Sequence, residues 1–289
     1  MNAGQRRLAA FGLTFTGPFV WTLIFLIVPY VVLLAVSFWT RKFPVFVPDF
    51  QFGNYAQIFA DPQYYTVILR TMKIAGLVTL AAVALGYPLA YFLVFTVQSA
   101  KWRNILYMAV IVPLWVSYLL RAYTWKIILG TDGVLNSFLV WSGILAEPTD
   151  LFLYNQFSMV LTLTYIFIPF MVMPIFTALD KIPRRLIEAS EDLGVGPFRT
   201  FLKVILPLSV GGVVAGATMT FCLAFGDFVA PALVGGPNGT MLANILQTQF
   251  GAALNWPLGS ALAMIVLIIV LALMGLSSRL ERAGRLDMA

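Results

Sequence analysis

The chain of 289 residues has no histidine, a single cysteine, and only 10% charged residues. Without an imidazole there is no His ligand for a metal and no His base for a serine or cysteine nucleophile, so His-based metal sites and Ser-His or Cys-His catalysis are excluded. The lone thiol, Cys222, lies in an apolar stretch and cannot close an intrachain disulfide. Of the 12 acidic residues, only Asp227 falls within a long apolar run, so an intramembrane aspartyl protease would lack its second, facing carboxylate. No G-x-x-x-x-G-K-[ST] occurs. The glycine-rich GGPNGT, Gly235 to Thr240, lacks the lysine and reads as a turn, so any ATP must bind to another protein. No basic-aromatic run suggests a groove for nucleic acid. No internal repeat is visible, which counts against a stand-alone secondary transporter of the inverted-repeat kind.

What the chain does have is apolar length. It is 61% hydrophobic with a mean hydropathy of +0.91, whereas soluble domains carry roughly 25% charge and 45–50% apolar residues. A membrane crossing needs about 20 apolar residues. Six segments qualify: Leu13–Phe38, Thr71–Val97, Ile105–Leu129, Phe157–Leu179, Leu208–Val229 and Leu258–Ser277. The runs are continuous rather than alternating, which points to an all-α integral membrane protein and away from a β-barrel. Prolines 18, 29, 88, 113, 169 and 174 fit kinked helices whose neighbours satisfy the freed backbone groups. The basic N-terminus runs into the first apolar segment with no small-residue cleavage site, and reads as a retained helix rather than a signal peptide. Gly133–Leu145 is apolar but too short to cross, and reads as a short external helix.

Six crossings put both termini on one side. If that side is the cytoplasm, it holds Arg6, Arg7, Lys101, Arg103, Lys181, Arg184, Arg185, Arg199, Lys203, Arg279, Arg282 and Arg285. The other side holds Arg41, Lys42, Arg70, Lys73, Arg121 and Lys126. Twelve basic residues against six favours cytoplasmic termini by the positive-inside bias. The net charge of +6 is thereby read as loop charge rather than affinity for nucleic acid.

The largest loop on that inner side, Asp180–Lys203, contains RRLIEASEDLG, Arg184 to Gly194. Ile182, Leu186, Ala189 and Leu193 recur at helical spacing, and the charges crowd the opposite face. Pro183 suits a first helical turn and Gly194 the position just past the end. Arg184–Glu188 is an i,i+4 pair in the less favourable orientation. Two readings fit the pattern: a solvated helix on the lipid headgroups, or a docking helix in which the small Ala189 and Ser190 let a partner approach.

The residues around this helix carry a resemblance. Glu188-Ala189-Ser190, three residues, Gly194, nine residues, then Val204-Ile205-Leu206-Pro207 resembles the cytoplasmic loop E-A-A, x3, G, x9, I-x-L-P of the membrane subunits of bacterial binding-protein-dependent ABC importers. Ser190 for Ala and Val204 for Ile are the departures. The loop also falls between the fourth and fifth segments, where that family places it. Resemblance to this family implies an ABC importer type I permease fold of six transmembrane helices in the bacterial inner membrane. It implies a non-catalytic subunit with Glu188, Ala189, Ser190, Gly194, Leu206 and Pro207 coupling it to an ATPase. It further implies two copies of that ATPase, a second related permease subunit, a periplasmic substrate-binding protein and surrounding lipid. ATP and Mg would be bound by the partner and none by this chain. On this reading residues 1–65 hold the first helix and first periplasmic segment, 66–278 the transport core with its coupling loop at 180–207, and 279–289 a cytoplasmic tail.

Longer stretches resemble the spermidine/putrescine importer permeases, the first permease subunit in particular. These are PLWVSYLLRAYTWKIILGTDGVLN from Pro113, YIFIPFMVMPIFTALDKI from Tyr165, FGDFVAPALVGGPNGTMLANILQTQF from Phe225 and NWPLGSALA from Asn255. The resemblance implies a polyamine or related small amine as solute. Similar permeases import opines and other amino-acid-like compounds, which stay open as the alternative. For a polyamine, Asp227 would pair with an ammonium group, and Trp115, Tyr118, Tyr123 and Trp125 would offer cation–π faces. Against this, Trp and Tyr belong naturally at membrane interfaces, and Arg121 pairing with Asp227 as a structural lock would serve equally well. An unpaired Arg121 would repel a polycation. Gly212 and Gly216 form a G-x-x-x-G face for close packing, within the bundle or against a second permease.

Overall fold

The computed structural model describes residues 15–42 and 44–286. Leu13, Arg6, Arg7 and the side chains of Arg282 and Arg285, on which part of the orientation reading rests, lie outside the described residues. The chain divides into two compact units, Met1–Pro62 with Leu246–Ile269 and Gln63–Ile245 with Val270–Ala289.

In the first unit, α1 (Phe15–Val36) is apolar on every side and buries none of its most hydrophobic window. The backbone then turns into a short antiparallel pair, β1 (Thr40–Lys42) and β2 (Val45–Val47), with Thr40 opposite Val47. This hairpin is an addition to the all-helical sequence reading. Helix α2 (Gly53–Ala60) follows. Asn54 ties it back, its Nδ2 donating to the Ser37 and Trp39 carbonyls, both at 2.8 Å. Phe46 stacks on Trp256 at 6.3 Å.

The remaining elements are α3 (Pro62–Tyr91), α4 (Ala100–Ile111), α5 (Tyr118–Leu129), α6 (Val134–Trp141), α7 (Gln156–Asp180), α8 (Arg184–Asp192), α9 (Pro197–Thr200), α10 (Leu206–Phe225), α11 (Val229–Val234), α12 (Leu242–Phe250) and α13 (Trp256–Leu286). Among the described residues, five spans are long and apolar enough to cross a membrane: Phe15–Val36, Pro62–Thr96, Gln156–Asp180, Pro197–Phe225 and Trp256–Arg279. A bent pair, Ala100–Trp115 with Tyr118–Trp141, passes the same test of length and apolarity only when its two halves are taken together. The protein is therefore a multi-pass α-helical membrane protein. The short helix expected within Gly133–Leu145 is α6, anchored by the buried Asn136, whose Nδ2 donates to the carbonyls of Gly130 and Thr149, each at 3.0 Å.

Two expected spans are corrected. Ile105–Leu129 is not one helix but breaks between Trp115 and Tyr118, and its halves are bent by 95°. Pro113 sits in a tight 3-10 turn, Val112–Trp115, Val116 is extended and Ser117 is non-helical, so no continuous hydrogen-bond ladder crosses the break. Leu208–Val229 is likewise shifted: the helix begins at Pro197 and ends at Phe225, leaving Asp227 in the turn beyond it. Wide π turns at Leu23–Ile27 and Phe201–Ile205 each end two residues before a proline, Pro29 and Pro207. The proline ring excludes the carbonyl four residues back, and the wider turn accommodates it.

The core of the second unit lies where α3 and α7 meet. Ala82, Ala90, Met171, Val172, Ile175 and Leu179 are fully buried there, and Ile182 and Ile205 cap the cluster where the chain leaves α7 and enters α10. The G-x-x-x-G face packs inside this unit. A Cβ on Gly212 would lie 2.5 Å from Ala178 Cβ and 2.6 Å from the Pro174 carbonyl, and one on Gly216 would lie 2.9 Å from Met171 Sδ. Only glycine lets α10 approach α7 this closely.

Candidate functional site

The charged loop is a built structure. Helix α8 follows Pro183 and ends at Leu193, and Gly194 takes φ +72°. Its N–H donates to the Glu191 carbonyl at 2.8 Å and the Val195 N–H to the Ser190 carbonyl at 3.1 Å. This double closure is the Schellman ending that favours glycine, which has no Cβ to clash in the left-handed region. The chain then turns directly into α9 and the π turn that opens α10. Leu206 is the first residue of α10 and Pro207 lies within its first turn. The base of α10 is fixed to α3 by a buried hydrogen bond between the Tyr87 and Ser209 hydroxyls, 2.8 Å long.

Two details of the expected docking helix change. Ser190 is turned inward: it is 8% exposed, and its hydroxyl bonds the buried Thr200 hydroxyl at 2.9 Å. Burial of a hydroxyl calls for such a partner, and Thr200 supplies it from the start of the returning helix. The apolar residues Leu186, Ala189 and Leu193 are exposed, Leu193 by 83%, while Ile182 is buried against the core. Glu188 is also exposed. Arg184 and Glu188 do not form an ion pair; the pair formed at this end of the molecule is Arg103–Asp180 at 3.4 Å. The apolar edge thus turns away from the protein's own core.

The proposed pathway residues fall into two groups. Tyr118, Arg121 and Asp227 come together. The Tyr118 hydroxyl donates to Asp227 Oδ2, and the Ala230 N–H donates to Oδ1 at 2.9 Å. Asp227 thereby caps the start of α11 and holds it to the start of α5. The Tyr118 ring stacks on Phe167 of α7 at 6.4 Å. Arg121, 8% exposed, donates from Nη1 to the Ile166 carbonyl at 3.2 Å, while its Nε is buried without a partner. The Arg121–Asp227 lock weighed from the sequence is not formed. Trp115 and Tyr123 stand apart: Trp115 is 86% exposed and Tyr123 is also exposed. Trp125 packs edge-on to Tyr165 at 5.3 Å, and both line a cavity of about 240 Å³ together with Arg121 and Thr124.

Sequence reasoning missed the α7 side of this cluster and a larger cleft of about 680 Å³ between α4, α7 and α10, lined by Tyr107, Phe170, Thr177, Lys181, Gly211 and Ala215 among others. The four-residue spacing of Pro207, Gly211, Ala215 and Met219 along α10 was the available signal.

A family model described as "Binding-protein-dependent transport system inner membrane component" matches residues 82–283, a range that contains both sites. The chain belongs to this family. As a family member it is similar to the spermidine/putrescine transport system permease protein PotB of Salmonella typhimurium strain LT2, at 37% identity over 88% of this chain and 87% of the relative. Against PotB of Escherichia coli strain K12 the identity is 36% over 88% and 91%. The inner membrane ABC transporter permease protein YdcU of the same strain is 35% identical over 88% and 84%. Among solved structures, a bacterial ABC transporter involved in the import of the acidic polysaccharide alginate aligns with TM-score 0.76 over 96% of each chain, at 18% identity. The inward-facing MetNI methionine ABC transporter aligns with TM-score 0.58 over 76% of this chain and 95% of that one, at 21% identity. This family member therefore has the fold of the ABC importer permeases and is a transport component of the inner membrane.

Proposed function

We propose that the chain is a permease subunit of an ATP-driven importer carrying spermidine, putrescine or a closely related small amine across the bacterial inner membrane. The observation that carries this reading is similarity, at 36–37% identity over 88% of the chain, to permeases named for spermidine and putrescine transport. Both termini are cytoplasmic in this reading, and 180–207 is the loop that faces the motor. Two copies of a separate ATPase bind and hydrolyse ATP with Mg, and this chain binds neither. A second related permease completes the pathway and a periplasmic binding protein delivers the solute. Residues 1–65, 66–278 and 279–289 keep the roles of entry helix, transport core and tail.

Glu188, Ala189, Gly194, Leu206 and Pro207 are the coupling residues in this reading, with Ser190 acting from inside the loop. Support comes from the exposed apolar edge of α8 and from its direct continuity with α10. A seated α8 would transmit motor movement to the spans, provided the motor binds the two conformations with different energies. The test is ATP hydrolysis by the reconstituted complex with its binding protein loaded in turn with spermidine, putrescine and a zwitterionic amine. Stimulation by the polyamines is expected; no stimulation by either, with the zwitterion active, would overturn the solute class. A specific observation favours that second reading, a permease for an amino-acid-like compound: Arg121 is a buried cation with no carboxylate of its own, and a solute carboxylate would satisfy it.

A further inference from the structure

The Tyr118–Asp227 bond joins two helix breaks. Asp227 stands in the turn between α10 and α11, and Tyr118 is the first residue of α5 after the 95° bend. Both carboxylate oxygens are occupied, by the Tyr118 hydroxyl and the Ala230 N–H. Asp227 is 9% exposed, which leaves little room for a solute. Arg121 lies one turn further along α5, on the same face as Tyr118, where such side chains stand roughly 5–6 Å apart. A guanidinium carries five donors, yet here its Nη1 reaches one backbone carbonyl and its Nε reaches nothing. An unpaired buried cation is costly in a low-dielectric interior. The cavity of about 240 Å³ beside Arg121 gives that side chain space to move.

The geometry points to an exchange of donors on Asp227: Tyr118 holds the carboxylate in this conformation, and Arg121 takes it in a second one, so that the occupied donor sets the relation of the two breaks. The phenol bond spares the carboxylate a full ion pair but strands the arginine. The arginine pair is charge-assisted and can be bidentate but requires α5 to rotate against α11. Two arrangements with opposing merits make a bistable element that solute or motor can bias. Arg121 then acts as a positioning residue, and its cation is neutralised in one half of the cycle.

The inference rests on the importer reading, and the experiment separates the two: the importer reading fails if the wild-type complex shows no ATP-driven uptake, while the exchange fails with wild-type uptake intact. ATP hydrolysis without solute is measured per assembled complex for Tyr118→Phe, Asp227→Asn, Arg121→Gln, Arg121→Lys and the double variant Arg121→Gln/Asp227→Asn. Losing a hydrogen bond to a charged group shifts a two-state balance roughly tenfold or more. Tyr118→Phe should therefore move the rate about tenfold in one direction, and Asp227→Asn and Arg121→Gln in the other. The double variant should be no further displaced than either single one, and Arg121→Lys should fall between Arg121→Gln and wild type. The exchange is overturned if Tyr118→Phe and Arg121→Gln shift the rate the same way, or if the Arg121 and Asp227 effects add. It is equally overturned if turnover per assembled complex does not change and only membrane yield falls, the mark of a purely structural cluster. Should Asp227→Asn fail to assemble, the opposite signs of Tyr118→Phe and Arg121→Gln still decide, because both retain the carboxylate.

Discussion

Adjacent glycines on α10 should respond oppositely to one added methyl group. At Gly212 a Cβ would lie 2.5 Å from Ala178 Cβ and 2.6 Å from the Pro174 carbonyl, where ordinary contact begins at 3.4 Å. The shortfall is 0.9 Å at one atom (3.4 minus 2.5) and 0.8 Å at the other (3.4 minus 2.6). Because one of those atoms is backbone, α7 and α10 must separate rather than a side chain swing away. Overpacking of this kind costs about 1–3 kcal/mol, and the carbonyl places Gly212→Ala at the upper end. Alanine's better helix propensity offsets roughly 0.5–1 kcal/mol, leaving Gly212→Ala destabilised by about 2 kcal/mol. At Gly211 nothing lies within 4 Å, so Gly211→Ala keeps the propensity gain and loses nothing. Thermal unfolding of the purified chain in detergent, followed by tryptophan fluorescence, should rank Gly211→Ala at or above wild type and Gly212→Ala several degrees below it. Equal melting of the two variants would refute the close approach of α10 to α7.

Substitutions at three further positions probe the loop and the ion pair at its start. Gly194→Ala meets no neighbour but forces a Cβ into φ +72°, a cost of about 1–2 kcal/mol; uptake per ATP should fall, and Gly194→Asn should retain more of it than Gly194→Val. Leu193→Ser removes an exposed apolar group from α8, so melting should change by less than about 0.5 kcal/mol while co-purification of the ATPase drops; an unchanged ATPase yield would remove Leu193 from the docking edge. Arg103→Gln breaks the partly exposed pair with Asp180, worth roughly 0.2–1 kcal/mol by denaturant titration, and a larger loss would show that the pair is shielded by another chain.

The crossings were legible because continuous apolar runs are a property of composition over a window, and burial in lipid needs little else. The helix α8 and its glycine ending were legible for a similar reason, since spacing and a single conformational requirement are both local. The break at Val116–Ser117 was not. VPLWV is apolar throughout, and Pro113 alone does not distinguish a kink from a right-angled bend, which depends on what α5 packs against. The partner of Ser190 was also hidden: a small residue on a docking helix and a small residue buried under it look identical in sequence, and Thr200 is recruited only after the chain has turned through Gly194 and Gly196. The Tyr118–Asp227 bond spans 109 residues and arises from packing, so hydropathy reasoning could name both residues without joining them.

The hydroxyl bond between Ser190 and Thr200 has a mechanical consequence. It bridges the two sides of the turn at Gly194–Gly196, a stretch that holds two glycines between α8 and α10. A push on the outer edge of α8 would otherwise be absorbed by bending at those glycines. If α8 seats on a motor as proposed, the closed bridge would shorten the load path from α8 to Pro207, and displacement imposed at one end would arrive at the other instead of dissipating as local strain.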